Sequence, residues 1–174
     1  MELNTTIRLM TGSDALSYRE LRLKALQNNP ESYLATLESE SRRSIDAFAS
    51  EIRYSLSSPV YGYYGIFLDE FKLIGYAQLE KSYMEKQKHI AFMYNLYVDP
   101  SYRGNGLATK LFEFLLKEVK EKTEVERIFI SCNRKNLPAQ KLYQKLGFSQ
   151  CGIKEKSVKW QGEYDDEIEL VKEI

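Results

Sequence analysis

The sequence predicts a mixed α/β single domain, and three observations carry that prediction. β-rich runs alternate with helical periodicity in the second half of the chain, which calls for at least one parallel crossover. An early and a terminal pair of β-rich runs are each joined by a short turn, which calls for antiparallel pairing as well. The third is size and composition: 174 residues, 43% hydrophobic and 29% charged, suit one globular core. No repeat, low-complexity tract or linker divides the chain.

The elements follow in order. Thr5 to Met10 reads as a first strand. Asp14 to Gln27 carries Leu16, Tyr18, Leu21, Ala25 and Leu26 near helical period, with Ser13 or Thr11 as N-cap and Asn28-Asn29-Pro30 as the stop. The stretch ESYLATLESESRR is irregular. A second helix is expected from about Ser44 to Leu56, broken by Ser57-Ser58-Pro59. From Val60, VYGYYGIFLD and KLIGYAQLEK form a hairpin with its turn near Asp69, and HIAFMYNLYV is a third strand ended by Asp99-Pro100.

Gly106 to Lys122 is an amphipathic helix, because Leu107, Leu111, Leu115 and Val119 recur every four residues with Phe112 and Leu116 beside them. RIFISCN is a short buried strand. Asn136 to Leu146 is a helix stopped by Gly147. CGIKEKSVKW and EYDDEIELV form a last hairpin across Gln161-Gly162.

Composition removes several function classes. Lysine plus arginine equals aspartate plus glutamate at 25 each. The broad positive field of sequence-independent nucleic-acid binding is therefore missing, and only a local pair, Arg42 and Arg43, stands out. The opening MELNTTIRLM has no basic region followed by a long apolar stretch, and no run approaches the roughly 20 apolar residues of a membrane-spanning helix. Cys132 and Cys151 suit a reducing compartment, and with a single histidine they supply no usual zinc site. A cytoplasmic protein with no metal, no nucleic-acid partner and no membrane partner is expected.

Two of only nine glycines fall in RGNGLATKL, directly after NLYVDPSY. Gly104-Asn105-Gly106 is either a plain turn or a phosphate cradle. The cradle is favoured: a helix starts at once, its first N–H groups lack partners, and small residues let a ligand approach the backbone. A Walker loop needs a lysine and a hydroxyl residue in an order that GLATKL does not supply. A dinucleotide fingerprint needs a third glycine where Ala108 or Thr109 stands.

The stretch does fit another spacing: Gln or Arg, two residues, Gly, one residue, Gly or Ala, met by Arg103, Gly106 and Ala108. With NLYVDPSYRGNGLATKLFEFLLK it resembles the acyl-CoA pyrophosphate loop of the GNAT superfamily of N-acetyltransferases. About thirty residues on, NRKNLPAQKLYQKLGF is similar to that family's second cofactor element. YRELRLKALQNNPESY and VKWQGEYDDEIELV resemble its bacterial small-molecule branch, so the likeness spans essentially the whole chain.

The resemblance implies the acyl-CoA N-acyltransferase fold, a mostly antiparallel sheet with a central, splayed parallel strand pair flanked by helices. It implies acetyl-CoA as co-substrate and a primary amine of a small molecule as acceptor. Pyrophosphate would lie on Arg103, Gly104, Asn105, Gly106, Leu107, Ala108 and Thr109. The Arg103 side chain would contact it or brace the loop. The pantetheine arm would pair along Leu96, Tyr97 and Val98 like an added strand. Asn133 and Asn136 fall in the second element, and Asn136 would hold cofactor or cap its helix. Tyr143 aligns with the family's general acid, and a phenol near its reference pKa of about 10 is protonated at neutral pH.

No base is assigned. The strand HIAFMYNLYV has no carboxylate, and His89 at its start is expected to face solvent. Glu80 and Glu38 are candidates beside an ordered water or an amine captured neutral. Cys132 reads as a small apolar residue rather than an acyl carrier. Glu31, Glu38, Glu40, Tyr33 and Tyr54, or Asp165, Asp166 and Glu167, would receive a cationic amine unless they are merely solvated. A protein α-amino group or lysine is the alternative acceptor, and a non-catalytic acyl-CoA sensor is the alternative class. A homodimer is expected from the resemblance and from the prevalence of symmetric oligomers.

Overall fold

The computed structural model of the chain describes residues 3–55 and 61–174. A strand β1 (Thr5–Leu9) leads to three helices, α1 (Ala15–Asn28), α2 (Leu37–Ser41) and α3 (Ile45–Ser55). Three strands follow: β2 (Gly62–Leu68), β3 (Lys72–Lys81) and β4 (Ile90–Val98). The rest is α4 (Leu107–Lys122), β5 (Arg127–Asn133), α5 (Leu137–Lys145) and a long hairpin of β6 (Ser149–Trp160) and β7 (Glu163–Glu173). The expected end of α3 at Leu56, the break at Ser57-Ser58-Pro59 and the strand start at Val60 lie outside the described residues.

The strands form one seven-stranded sheet in the order β1-β2-β3-β4-β5-β7-β6. Every neighbouring pair is antiparallel except β4 with β5. That pair is parallel because the chain leaves β4, crosses through α4 and returns as β5. Its pairing covers only Ile90–Phe92 against Arg127–Phe129 and then stops. β5 stays paired to β7 through Asn133, while β4 stays paired to β3. The central strands therefore part in the middle of the sheet, as the resemblance implies.

Helices cover both faces. Leu107, Leu111, Phe112, Leu115 and Val119 of α4 pack with Ile66, Ile74 and Leu79 of the sheet and with Tyr143 and Phe148. On the opposite face, Tyr18, Leu21 and Ala25 of α1 and Phe48 and Ile52 of α3 pack on Tyr63, Phe67 and Tyr76. α1 also turns a charged residue inward, since Arg22 is buried in this stripe.

Local chemistry moves a few boundaries. Thr11 and Asp14 form a capping box on a short 3-10 turn, Gly12–Asp14, that runs into α1, so the N-cap of α1 itself is Asp14 rather than Ser13 or Thr11. The stretch read as irregular contains α2. Thr36 caps it, accepting from the Ser39 N–H at 3.1 Å, while the Ser39 hydroxyl approaches the Thr36 N–H. In the last hairpin Gln161 and Gly162 both take positive φ, 49° and 82°, the geometry that matches strand twist in a two-residue turn.

Candidate active site

β4 ends at Val98, and Asp99 closes it. The Asp99 carboxylate accepts from the Ser101 N–H at 3.0 Å and pairs with Lys24 of α1 at 2.6 Å. Burial would raise its pKa, but Lys24 and the Ser101 N–H outweigh burial and hold it below the usual 3.8. Arg103 then turns back, donating from Nε to the Val98 carbonyl at 2.9 Å, with its guanidinium 5.5 Å from the Tyr97 ring. Its side chain braces the loop. Gly104 and Gly106 take φ of 82° and 70°, conformations in which an L side chain is strained, and the space beside each is open.

Gly106 caps α4, and the first helical bond runs from the Lys110 N–H to the Gly106 carbonyl at 2.9 Å. The N–H groups of Leu107, Ala108 and Thr109 thus have no partner among the described residues. They form the positive end of a sixteen-residue helix whose first turn holds no acid. The residue types fit a pyrophosphate: free donors, two open glycines and an arginine locked alongside.

β4 supplies the adjoining wall. Asn95 takes a positive φ of 55°, and the register with β3 jumps there: Tyr76 faces Tyr97 but Gln78 faces Tyr94. Ala77 thus opposes two residues, a β-bulge that bends β4 where it has already left β5. The edge at Leu96, Tyr97 and Val98 is unpaired on the β5 side and open to an extended ligand.

α5 supplies the other wall. Asn136 is its N-cap, accepting from the Ala139 N–H at 3.2 Å, and Pro138 sits in the first turn, where no N–H is needed. The Asn136 amide also reaches the Ser32 hydroxyl at 3.3 Å, and the Asn133 amide donates to the Glu31 carbonyl. These contacts fold the turn after α1 across the cleft. Tyr143, two turns into α5, packs edge-on to Phe148 with ring centroids 6.0 Å apart. Its hydroxyl has no hydrogen-bond partner among the described residues. Burial pushes its phenol above the ordinary value of 10, with smaller contributions from Cys132 and Tyr33.

These walls enclose a cleft of about 460 Å³, within the usual range for a ligand site. Leu96, Tyr97, Val98, Arg103, Gly104, Gly106, Leu107, Ala108, Thr109, Asn136 and Tyr143 all line it. Asn105 and Asn133 do not. Asn105 donates to the Tyr102 carbonyl at 2.9 Å within its own loop, and Asn133 is spent on Glu31. The roof residues Asn29 and Ser32, and Lys145 of α5, line the cleft without having been singled out by motif.

The other candidates are placed apart. His89 is exposed, and its backbone carbonyl accepts from the N–H groups of Glu126 and Arg127. Burial, helped by Asp165 and Glu167, pushes the Cys132 thiol up to about 11, so it stays protonated and unreactive at neutral pH. Glu38 is exposed and paired with Arg42; Glu40, Asp166 and Glu167 are paired with Arg43, Arg134 and Lys154. Glu80 is half-buried and accepts from the Gln78 amide at 2.5 Å. Burial, with Glu51 nearby, raises its pKa. Tyr54 is exposed, whereas Tyr33 lines the cleft. Among the described residues no three metal-ligating side chains gather, and no helix is long and apolar enough to cross a membrane.

Known proteins share this architecture. A GNAT-family acetyltransferase from Streptococcus pneumoniae superposes with a TM-score of 0.85 at 19% identity, covering 98% of this chain and 99% of that one. The structure described as yncA, a putative acetyltransferase from Salmonella typhimurium with its cofactor acetyl-CoA, gives 0.79 at 18%, covering 98% and 94%. In sequence, the spermine/spermidine N(1)-acetyltransferase of Bacillus subtilis is 32% identical over 82 residues, 45% of this chain and 54% of that protein. The ribosomal protein bS18-alanine N-acetyltransferase of Escherichia coli K12 is 36% identical over 64 residues, 37% of this chain and 43% of that protein. The chain spans about half the length of the curated relatives it matches. Residues 23–148, nearly three quarters of the sequence and the whole cleft, match the acetyltransferase (GNAT) family, and the chain belongs to that family.

Proposed function

We propose that this protein transfers the acetyl group of acetyl-CoA to a primary amine of a small molecule by direct attack, with Tyr143 protonating the departing CoA thiolate. The composition of the cleft carries this reading. Its lining holds Arg103, Lys145, the free N–H groups of α4 and a buried phenol, and it holds no carboxylate. Such a space favours a polyanionic ligand at one end and keeps a proton available at the other.

Pyrophosphate would lie on the N–H groups from Gly104 to Thr109, with the Arg103 N–H already given to the Pro100 carbonyl, and pantetheine along the open edge of β4. Asn136 would serve as the cap that aims α5. The amine attacks the thioester carbon, and negative charge gathers on the carbonyl oxygen near backbone donors of the bulged strand. The C–S bond then breaks, the thiolate takes the Tyr143 proton, and the nitrogen, cationic since the attack, gives up its proton to solvent, from which Tyr143 is reprotonated. β4 carries no carboxylate and His89 faces outward, so the amine enters neutral or gives its proton to water. A homodimer is the expected assembly.

The relatives divide the acceptor question. The Bacillus subtilis protein's name supports a small polyamine, and the Escherichia coli protein's name supports a protein α-amino group as the second reading. The test follows free thiol release from acetyl-CoA against a panel of amino acids, polyamines, amino sugars and peptides. Turnover on a small amine is the expected outcome. Turnover on peptides alone selects the second reading, and tight acetyl-CoA binding with no turnover on any acceptor selects a sensor.

A further inference from the structure

Arg22 is the cation that the mechanism leaves unused. It lies on α1 with 7% of its surface exposed, yet it makes no ion pair among the described residues. By contrast Arg8 pairs with Asp14 at 2.9 Å, Arg43 with Glu40 at 3.0 Å and Arg134 with Asp166 at 3.0 Å. Glu40 also acts on Arg22 electrostatically, but its carboxylate is already held by Arg43. Burying a charge without a counter-charge is costly, and folded proteins rarely tolerate it without a use.

The surroundings deepen the imbalance. The Tyr76 hydroxyl lies fully buried against the Arg22 guanidinium, in reach of its N–H groups but without a well-formed hydrogen bond. The Tyr97 hydroxyl, buried on the next strand with ring centroids 5.8 Å away, is near the Asn28 side chain and likewise makes no well-formed hydrogen bond, and Tyr97 lines the cleft. Tyr33, another cleft residue, presents its ring to the guanidinium at 4.9 Å. The groups placed against the guanidinium here are neutral, a phenol and an aromatic ring, not carboxylates.

What holds Arg22 in place is a hydrogen-bond chain with a fixed direction. Arg22 donates to the Asn95 carbonyl oxygen at 3.2 Å. The Asn95 amide donates to Gln78 at 3.0 Å, and the Gln78 amide donates to Glu80 at 2.5 Å. A guanidinium only donates and a carboxylate only accepts, so the two ends dictate how both amides point. The chain ties Arg22 to the bulge of β4, beside the place where the thioester would lie.

Resting on the acetyl-transfer reading, we infer that Arg22 is a recognition residue for an acidic group on the acceptor, and that the acceptor is an amine bearing a carboxylate, as an amino acid does. A carboxylate supplies the oxygens that a guanidinium fork and a neighbouring phenol require. Asn95 fixes the fork beforehand; Arg22 does not itself line the cleft, and Tyr33, whose ring lies on the guanidinium, is a cleft residue in contact with it.

The test sets phenylalanine, lysine and glutamate each against its amide and its decarboxylated amine. It measures turnover with acetyl-CoA, and binding to the CoA-loaded protein by calorimetry. At least one acid should exceed its amide by about tenfold or more, the scale of a charge-assisted hydrogen bond. Arg22→Gln should bring that ratio to within about twofold while acetyl-CoA affinity changes by less than about threefold; Arg22→Lys should keep part of the preference.

Equal use of acids and their amides, or a polyamine or peptide preferred to every acid, overturns the inference and leaves acetyl transfer standing. Loss of acetyl-CoA affinity in Arg22→Gln also overturns it, because the guanidinium then serves the cofactor. If no amine is turned over, the transfer reading fails separately, and the binding ratios to the CoA-loaded protein still decide the carboxylate claim. If Arg22→Gln does not fold, the wild-type ratios and Arg22→Lys decide it.

Discussion

Tyr143 concentrates the chemistry in one hydroxyl, and its environment tells what to expect of it. A phenol raised by burial is harder to ionise, so it keeps its proton across and beyond the neutral range. Tyr143→Phe should lower kcat by about 100-fold, in the range for loss of a positioned acid, with acetyl-CoA affinity nearly unchanged. Stopped thiol-release assays and calorimetry check the two halves, and an unchanged kcat removes the acid assignment. The rate should climb with pH as the acceptor amine deprotonates and should show no downturn near pH 10 attributable to Tyr143.

Asp99 offers a second residue-scale expectation, with the opposite sign of shift. Its folded-state pKa lies below 3.8, so its contribution is present above the unfolded value and is lost as pH falls through the folded one. Asp99→Asn should lower Tm at pH 7 by about 2–4 °C, the shift produced by roughly 1 kcal/mol in a domain of this size. The difference should shrink as pH falls below 3.8, where the wild-type carboxyl also becomes neutral. Thermal unfolding at a series of pH values measures it.

At the scale of elements, the loop and helix around Gly106 were open to reading because their signal is local. Arg103, Gly106 and Ala108 lie within six residues, and the period of Leu107, Leu111 and Leu115 announces the helix that follows. The open space beside Gly106 makes a sharper statement possible. Gly106→Ala adds a methyl group that meets nothing within 4 Å, so it should cost only about 1 kcal/mol for the positive φ and leave the protein folded. α2 was not legible, because its signal is a five-residue helix whose Thr36 cap and Ser39 partner resemble any polar loop. Asn136 left two readings, and the 3.2 Å bond from Ala139 now places its side chain on the cap.

At the scale of the molecule, the mixed sheet class and the order of elements along the chain were legible from periodicity, but the strand order within the sheet was not, and the cleft was only half so. The floor comes from β4, α4 and α5, whose motifs announce themselves. The roof comes from Asn29 and Ser32, joined to the floor by hydrogen bonds between residues 102 and 104 positions apart, and no local pattern encodes that closure. Composition shows charges but not partners, and among the candidate acids Glu38, Glu40, Asp166 and Glu167 are paired with Arg42, Arg43, Arg134 and Lys154. The buried Arg22 is the converse case, a charge whose lack of an ion pair among the described residues emerges only once α1 is docked on the sheet.

That this cleft holds acetyl-CoA by its pyrophosphate at the N-terminus of α4 is best tested by calorimetric titration of the wild type, Gly106→Ala and Gly106→Glu with acetyl-CoA. The wild type should bind one molecule per chain. Gly106→Ala should bind it more weakly, and Gly106→Glu should fold but show no binding, because a carboxylate would stand in the phosphate's place. Equal affinity in wild type and Gly106→Glu, or no binding by the wild type, would contradict it.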